Sequence, residues 1–342
     1  MNPRRIAAAC LLLLLSCTVL LVVYVCLGTR LLSPLDILSG SLPDRDALVA
    51  AFRLKRGLLA LAVGGSLALA GAAFQALLRN PLADPFVVGV SGGAAIGGTL
   101  VMVLLASAAP LLSVLFYSLS VFVGAFLASV VFAALLYRLS STRGVIVTNS
   151  LLLMGVVFNF FASAVVLFLK TVLQGTKLQE VLFWLMGSLA VETLPSGVLA
   201  VAGVAVVAAC LALVLLSPRV NLVSVSEEFS AGSGVEPERV KRQLFLLASV
   251  LVAVAVSVAG FIGFVGLIVP HAVRIVAGAD HRALFPLSTL AGALFLLAAD
   301  LLARLSLPLS GTALPVGVVT AFVGGPLFIA LLARAQNRGE LA

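Results

Sequence analysis

Eight stretches without a charged residue constrain the fold of this chain more than any other feature of its sequence. A helix needs about 20 apolar residues to cross the hydrocarbon core of a bilayer, and these stretches reach or approach that length. Lipid-facing backbone must be satisfied internally, and the stretches lack the alternation expected of barrel strands. The sequence therefore predicts an all-α polytopic membrane protein with one transmembrane domain over residues 1–342. The stretches are 6–29, 57–78, 85–137, 144–169, 193–218, 243–270, 283–299 and 305–333.

Composition and charge agree with a chain whose solvent is lipid. Apolar residues make up 62% of the sequence and charged residues 10%. The net charge of +8 comes from basic residues scattered between the apolar stretches, which disfavours nucleic-acid binding. With the N-terminus inside, 13 of the 21 Lys and Arg residues fall on the cytoplasmic side, as expected for an inner-membrane protein. The first stretch exceeds a signal-peptide core, so it is predicted to be a retained helix.

Two stretches decide the number of crossings. Stretch 85–137 is too long for one helix and is divided near Pro110. Region 243–279 contains several glycines and Pro270, and it is predicted to form one full helix followed by a shorter, broken one. A single crossing there would leave the basic C-terminal tail outside, whereas two crossings place it in the cytoplasm. The prediction is about ten transmembrane helices with both termini cytoplasmic.

Two connections carry more sequence information than ordinary turns. Residues 178–189 include Trp184 and are too short to span alone, so we expect an interfacial or re-entrant segment on the outer side. Residues 218–242 form the longest polar stretch and lie on the inner side. Glycines near its middle suggest two short cytoplasmic helices separated at Gly232 and Gly234.

A weak internal repeat emerges when the chain is shifted by 189 residues. Ala70-Gly71 then falls on Ala259-Gly260, Pro81 on Pro270, and Gly89 on Gly278, each at the expected end of an apolar helix. The two copies would begin five crossings apart. Such copies must be inverted in the bilayer, as in many transporters.

The most distinctive local pattern runs over residues 71–93. Pro81 and Pro85 are expected to end one helix and shape the approach to the next, while Asp84 could cap the N-terminus of the new helix. Small residues then allow close helix packing. The residues alone are also compatible with an ordinary tight cytoplasmic turn.

These residues resemble a known family, the permease subunits of the iron-siderophore, haem and cobalamin class of ABC importers. The resemblance covers nearly the whole chain and depends on several ordered motifs. They are Arg53-Leu54-Lys55-Arg56, the 71–93 stretch, Trp184-Leu185-Met186-Gly187-Ser188-Leu189, Ala259-Gly260-Phe261-Ile262-Gly263-Phe264-Val265-Gly266-Leu267-Ile268-Val269-Pro270-His271, Gly278-Ala279-Asp280-His281-Arg282, Ala299-Asp300-Leu301-Leu302-Ala303-Arg304 and Leu314-Pro315-Val316-Gly317-Val318-Val319-Thr320-Ala321.

The resemblance implies a homodimer that encloses one pathway through the inner membrane. A dimeric ATP-binding subunit would sit on the cytoplasmic face, and a periplasmic or lipid-anchored substrate-binding protein would dock outside. The inner loop would couple to the ATPase at the turn formed by Ala231, Gly232, Ser233 and Gly234, where small residues permit close backbone approach. An ordinary solvated loop is the alternative.

The resemblance also assigns residues at the outer face and along the pathway. Arg53, Arg56 and Arg304 stand at positions that pair with acidic residues of the binding protein. They could instead anchor helix ends at the headgroups, and Asp300 could pair with Arg304 one turn along the same helix. The inner gate would lie near Asn80, Leu82, Ser141 and Thr142. Asn159 either lines the pathway or forms a hydrogen bond to a neighbouring helix.

Several function classes are disfavoured by what the sequence lacks. It has no Gly-x-x-x-x-Gly-Lys-Ser/Thr loop, so it cannot bind ATP by that route, and ATP is expected to be used by a partner subunit. No catalytic constellation is visible, and neither the two histidines nor the four cysteines have metal-ligand spacing, so we expect no cofactor and no metal site. The predicted function is ATP-driven import of an iron-siderophore, haem or cobalamin by alternating access. An ion- or proton-coupled secondary transporter is the alternative, and a membrane-embedded enzyme is a third.

Overall fold

The computed structural model describes residues 2–28, 30–106, 113–142, 145–189, 196–306 and 314–337. Its helices are α1 (Pro3–Cys26), α2 (Pro34–Ser39), α3 (Asp44–Leu78), α4 (Val90–Leu104), α5 (Val114–Ser140), α6 (Thr148–Val172), α7 (Gly175–Leu185), α8 (Ser196–Val225), α9 (Glu227–Gly232), α10 (Pro237–Ala259), α11 (Val265–Ala277), α12 (His281–Leu305) and α13 (Val316–Asn337). Two short strands, β1 (Ser141–Thr142) and β2 (Val145–Ile146), pair antiparallel between α5 and α6.

The all-α membrane fold is confirmed. In the described part of the chain, 7 helices are long and apolar enough to cross a membrane, namely α1, α3, α5, α6, α8, α10 and α12. Three shorter apolar helices lie at Val90–Leu104, Val265–Ala277 and Val316–Leu331. This inventory is compatible with ten crossings, and that exact number stays a prediction. Pro110, together with Arg143 and Arg338 from the charge count, lies outside the described residues.

Helix α3 is the central element of the fold. It is 35 residues long, 83% of the residues in an apolar stretch of 18 are buried, and it packs against α10, α11 and α12. Glycines make this close packing possible: a Cβ on Gly71 would overlap the carbonyl oxygen of Gly266 in α11, and one on Gly64 would overlap that of Gly292 in α12. Small residues at such crossings let backbones approach within lipid, where hydrophobic association between helices is weak.

The predicted break in region 243–279 is present. Helix α10 ends at Ala259, an irregular segment occupies 260–264, and α11 follows. Gly260 has a φ of +68° and Phe264 a φ of +70°, so the backbone departs from helical geometry at both ends of the segment. Pro270 lies inside α11 rather than at its end.

Three local predictions are wrong. Asp84 does not cap α4, because α4 begins at Val90 with Gly89 as its N-cap; Asp84 Oδ1 instead accepts from the Phe86 amide 2.9 Å away. The inner loop does not begin at Pro218, which lies inside α8; the helix continues because Val220 and Val223 beyond it are buried. Two separate short helices do not form there either.

The inner loop contains one short helix, α9, and the chain then enters the long helix α10. Pro237 stands at the first position of α10, where its fixed φ and missing N–H suit a helix start. The apolar residues that follow continue this helix into the bilayer. The second predicted short helix is therefore the first part of the long helix α10.

The internal repeat remains a prediction. The landmarks do not occupy equivalent places, because Ala70-Gly71 lies within α3 whereas Ala259-Gly260 ends α10. Pro81 likewise lies in a connection and Pro270 within a helix. The expectation that every landmark stands at a helix end is therefore wrong.

Candidate functional site

An arginine network surrounds one buried carboxylate where α1, α3 and α12 meet. Arg56 Nε and Nη2 in α3 donate to Asp300 Oδ2 and Oδ1 in α12, at 2.9 and 2.7 Å. The Tyr24 hydroxyl in α1 also donates to Asp300 Oδ2. Asp300 is 0% exposed, so these bonds replace the water that a buried carboxylate loses. The network ties α1, α3 and α12 together.

The other two arginines bind backbone at the end of α1. Arg304 Nη2 donates to the carbonyls of Tyr24 and Leu27 at 2.8 and 2.7 Å, and its guanidinium lies over the Tyr24 ring. Arg53 is buried and donates to the carbonyls of Val25 and Arg30, both at 2.9 Å. A cation at a helix C-terminus is favourable. The alternative in which Asp300 pairs with Arg304 is wrong, since Arg56 takes both carboxylate oxygens.

The sequence motifs that begin at Trp184, Ala259 and Leu314 contact one another beside α4. The Ser188 amide donates to the Ala259 carbonyl at 2.8 Å, and the Gly317 amide donates to the Gly187 carbonyl at 3.4 Å. A Cβ on Gly260 would overlap the Trp184 carbonyl. The end of α7, the break after α10 and the start of α13 therefore form one junction whose glycines permit backbone contact.

Asn159 lies near this junction, and its place along a transport pathway stays a prediction. Its side-chain nitrogen donates to the Phe86 carbonyl at 2.7 Å, which ties α6 to the connection between α3 and α4. It also lines a cavity of ≈ 210 Å³ whose other walls are mostly apolar or small, including Ser91, Ser163 and Phe261. The Asn159 side chain thus stabilises the connection between α3 and α4 and adds a polar group to the cavity wall.

A larger cavity of ≈ 490 Å³ lies at the inner end of α3 and includes Asn80. Asn80 Oδ1 accepts from the Leu82 amide at 2.9 Å, which fixes the turn after α3. Asn221 in α8 closes another wall by donating to Asp280 Oδ1 at 2.7 Å. Arg79 and Arg274 also line the cavity, together with the Asp280 carboxylate, so its polar lining contains charges of both signs.

The predicted gate residues Ser141 and Thr142 form strand β1. Ser141 pairs with Ile146 and Thr142 with Val145, so the connection between α5 and α6 is a short hairpin rather than an open loop. Asn80 and Leu82 occupy the separate connection after α3. The gate prediction therefore concerns the connection at residues 79–89 and the paired strands at 141–142 and 145–146, which we call the gate segments.

The predicted coupling turn is on the surface of the chain. Ala231, Gly232, Ser233 and Gly234 are all exposed, and Phe229 beside them is 59% exposed. No described atom lies within 4 Å of the place that a Cβ on Gly232 or Gly234 would take. Ser230 in the same helix, α9, is fully buried, and its hydroxyl donates to the Glu227 carbonyl one turn earlier at 2.8 Å.

This arrangement of helices and motifs is shared with known proteins. The FecCD transport family matches residues 13–334. The chain belongs to this family. Two relatives extend the comparison: the cobalamin import system permease BtuC of Halobacterium salinarum is 42% identical over 86% of this chain and 75% of its own. The hemin transport system permease HmuU of Yersinia pestis is 38% identical, over 84% of this chain and 83% of its own.

A solved structure supports the same assignment. An inward-facing conformation of a metal-chelate type ABC transporter aligns with a TM-score of 0.81 and 31% identity, over 96% of this chain and 99% of that one. As a FecCD family member with this fold, the chain is the multi-pass permease of an ABC importer and works with other ABC components.

Sequence reasoning missed one group of charged residues in this FecCD permease. Arg79, Glu227, Glu238 and Lys241 form a connected set of ion pairs at the inner face. Arg79 lies in the 71–93 stretch that the resemblance includes, and Lys241 was counted only among the basic residues on the cytoplasmic side. The spacing of Glu238 and Lys241, three residues apart at a helix start, was a signal for their pairing.

Proposed function

We propose that this permease forms a homodimer in the inner membrane that imports a metal chelate by alternating access. The main support is the family match over residues 13–334, together with the similarity to permeases named for the import of cobalamin and hemin. The alignment with a metal-chelate type transporter over 96% of the chain supports the same substrate class. The candidate cargoes are an iron-siderophore, haem or cobalamin.

Energy would come from a dimeric ATP-binding subunit bound at α9, with both chain termini on that cytoplasmic side. The exposed turn of Ala231, Gly232, Ser233 and Gly234 supports this contact, because it has open space and an exposed aromatic neighbour in Phe229. Aromatic side chains often anchor protein interfaces. The permease itself would bind no cofactor, and ATP would be used by its partner.

A substrate-binding protein, periplasmic or lipid-anchored, would dock over Arg53, Arg56 and Arg304. Their own-chain contacts hold the guanidinium groups in fixed places, and one carboxylate, Asp300, leaves two positive charges in excess among these four residues. An acidic partner surface would be attracted to that excess. Charge complementarity of this kind contributes more to orientation and association rate than to affinity.

The pathway would close at the two gate segments, with Asn80 and Leu82 on one and Ser141 and Thr142 on the other. Asn159 and its cavity would lie along the same route. The mostly apolar lining with small polar groups suits a large chelate that must pass without being retained. The facing subunit and lipid would cover the exposed aromatic rings of α6 and α13, such as Phe160 and Phe322.

The test is uptake into proteoliposomes that contain the permease, its ATP-binding subunit and its binding protein. Labelled cobalamin, haem and a ferric siderophore are supplied separately, with and without ATP. We expect uptake of one chelate only when ATP is present. Uptake that continues without the ATP-binding subunit and stops when a proton gradient is removed would contradict the proposal and select a secondary transporter.

A further inference from the structure

Four charged side chains on the inner face form one continuous chain of contacts. Arg79 Nη2 lies 3.0 Å from Glu227 Oε1, and Lys241 Nζ lies 2.9 Å from Glu227 Oε2. Lys241 Nζ also lies 2.8 Å from Glu238 Oε1. We call Arg79, Glu227, Lys241 and Glu238 the inner ion-pair chain.

Each end of the inner ion-pair chain reaches a gate segment. Arg79 is the C-cap of α3 and directly precedes Asn80, and it also donates to the Val223 carbonyl of α8 at 2.8 Å. At the other end, Glu238 Oε2 accepts from the Ile146 amide at 2.8 Å. Ile146 is the strand partner of Ser141. Helix α9, which carries Glu227, is thus joined to both segments.

The carboxylates of Glu227 and Glu238 each bond to two different partners. Glu227 uses one oxygen for Arg79 and the other for Lys241, and Glu238 uses one for Lys241 and the other for the hairpin backbone. A displacement of α9 therefore changes contacts toward α3 and toward the hairpin at the same time. Charged hydrogen bonds are about twice as strong as neutral ones, so they can carry such a displacement.

Lys241 is the central member of the chain. Its side chain is 8% exposed, whereas those of Arg79 and Glu227 are 46% and 41% exposed. An exposed pair contributes little, but removing one partner from a buried ionic contact leaves an uncompensated charge. Changes at Lys241 should therefore have larger effects than changes at Arg79.

We propose that Glu227 and Lys241 are positioning residues that transmit movement of α9 to both gate segments. This inference rests on the proposed function, in which the ATP-binding subunit moves α9. It adds the physical connection by which that movement opens or closes the inner side of the pathway. Neither residue touches the transported solute in this assignment.

The experiment measures solute taken up per ATP hydrolysed in the reconstituted complex. We expect Lys241→Met to lower this ratio by about tenfold, within the range typical of coupling between sites. Lys241→Arg keeps the charge and should restore most of the ratio. Glu227→Gln should lower it as well, and the double variant should lose little more than Lys241→Met, because both changes interrupt one chain.

The matched control is Lys177→Met on the outer side. Lys177 pairs with Glu180 three residues away at 2.8 Å, the same spacing and distance as Lys241 and Glu238. Lys177→Met should leave the uptake per ATP hydrolysed unchanged. The control thus distinguishes a loss of coupling from the general effect of removing an ion pair at a helix start.

Three outcomes decide the inference. If the wild-type complex shows no ATP-dependent uptake, the proposed function fails, and this inference with it. If wild-type uptake is normal and Lys241→Met and Glu227→Gln retain the full ratio, the ion-pair inference alone is overturned. Should Lys241→Met not fold, Glu227→Gln decides, because that position is partly exposed and tolerates substitution; an unchanged ratio there overturns the proposal.

Discussion

Arg56 in α3 and Asp300 in α12 form a two-point ion pair across 244 residues of sequence, with Nε–Oδ2 and Nη2–Oδ1 distances of 2.9 and 2.7 Å. The pair joins the N-terminal half of α3 to the C-terminal end of α12, and these two helices share the most extensive contact in the described fold. Its carboxylate is fully buried, while the arginine side chain is 21% exposed. The pair thus fixes the relative position of α3 and α12 where a partner protein would dock.

Asp300→Asn should destabilise the permease substantially. The change leaves the Arg56 guanidinium without its countercharge in a largely dry place, and we expect a loss of about 2–4 kcal/mol in unfolding free energy. Thermal unfolding of the purified protein measures the effect. Asp46→Asn is the matched control, since Asp46 pairs with Arg30, whose side chain is 57% exposed; its cost should be about 0–1 kcal/mol. Equal losses in the two variants would contradict this account.

The sequence predicted the broken region after α10 because glycine and proline act locally. Gly260 adopts a conformation that other residues rarely take, and its effect is visible without knowledge of the partners. The apolar runs can also be recognised without knowledge of their partners, because a helix that crosses the bilayer core must be apolar along its length. The all-helical class, a segment around Trp184 too short to span the bilayer and the break before α11 could therefore be predicted from residues alone.

The charged contacts could not be predicted in the same way. The alternative of an Asp300–Arg304 pair along one helix does not form, because Asp300 is buried at the α3–α12 contact and bonds there to Arg56. Pro218 was expected to end a helix, yet α8 continues through it since Val220 and Val223 pack into the core. Both outcomes depend on tertiary neighbours that no local pattern contains.

Arg304→Gln should weaken docking of the binding protein. Because the change removes one positive charge from the outer network, we expect about three- to tenfold weaker association at low salt. The difference should shrink at high salt, where exposed charges are screened. Binding of the purified binding protein to the reconstituted permease gives the measurement.

A second variant distinguishes the loss of a local docking contact from the loss of positive charge anywhere on the outer face. Arg45 is exposed near the start of α3, so Arg45→Gln removes the same charge away from the network. Association should change little in that variant. Unchanged affinity of Arg304→Gln at low salt would remove Arg304 from the docking surface.

Asp84→Asn should stabilise the permease at neutral pH. Burial raises the pKa of the Asp84 carboxyl from 3.8 to about 6, although the hydrogen bond from the Phe86 amide lowers it. The folded state therefore favours the protonated acid, and wild-type stability falls as pH rises from about 4 to about 6. Asn keeps an acceptor for the Phe86 amide and has no charge to lose.

The expected gain in Asp84→Asn is on the order of 1–3 kcal/mol above pH 7, and it should disappear near pH 4. Thermal unfolding midpoints at several pH values measure it. Asp36→Asn in the exposed helix α2 is the control and should show no such trend. A stability difference between Asp84→Asn and wild type that stays constant with pH would exclude ionisation of Asp84 as the cause.

Gly232→Trp should uncouple ATP hydrolysis from uptake without disturbing the fold. A Cβ at Gly232 meets no described atom within 4 Å, so the isolated permease has room for the indole. If the ATP-binding subunit covers this turn, the same indole must displace it, because closely packed interfaces tolerate added volume poorly. We expect the ATPase activity stimulated by the binding protein, and uptake with it, to fall by about fivefold or more.

Gly203→Trp provides the control for an added indole at an open glycine. Gly203 lies within α8, far along that helix from α9, and a Cβ there also meets no described atom within 4 Å. This variant should insert and purify as wild type does and should support normal ATP hydrolysis by the partner subunit, since lipid can accommodate the ring. Because both glycines are open in the permease alone, only contact with another subunit distinguishes them. Normal coupling in Gly232→Trp would therefore show that the ATP-binding subunit does not contact the turn at 231–234.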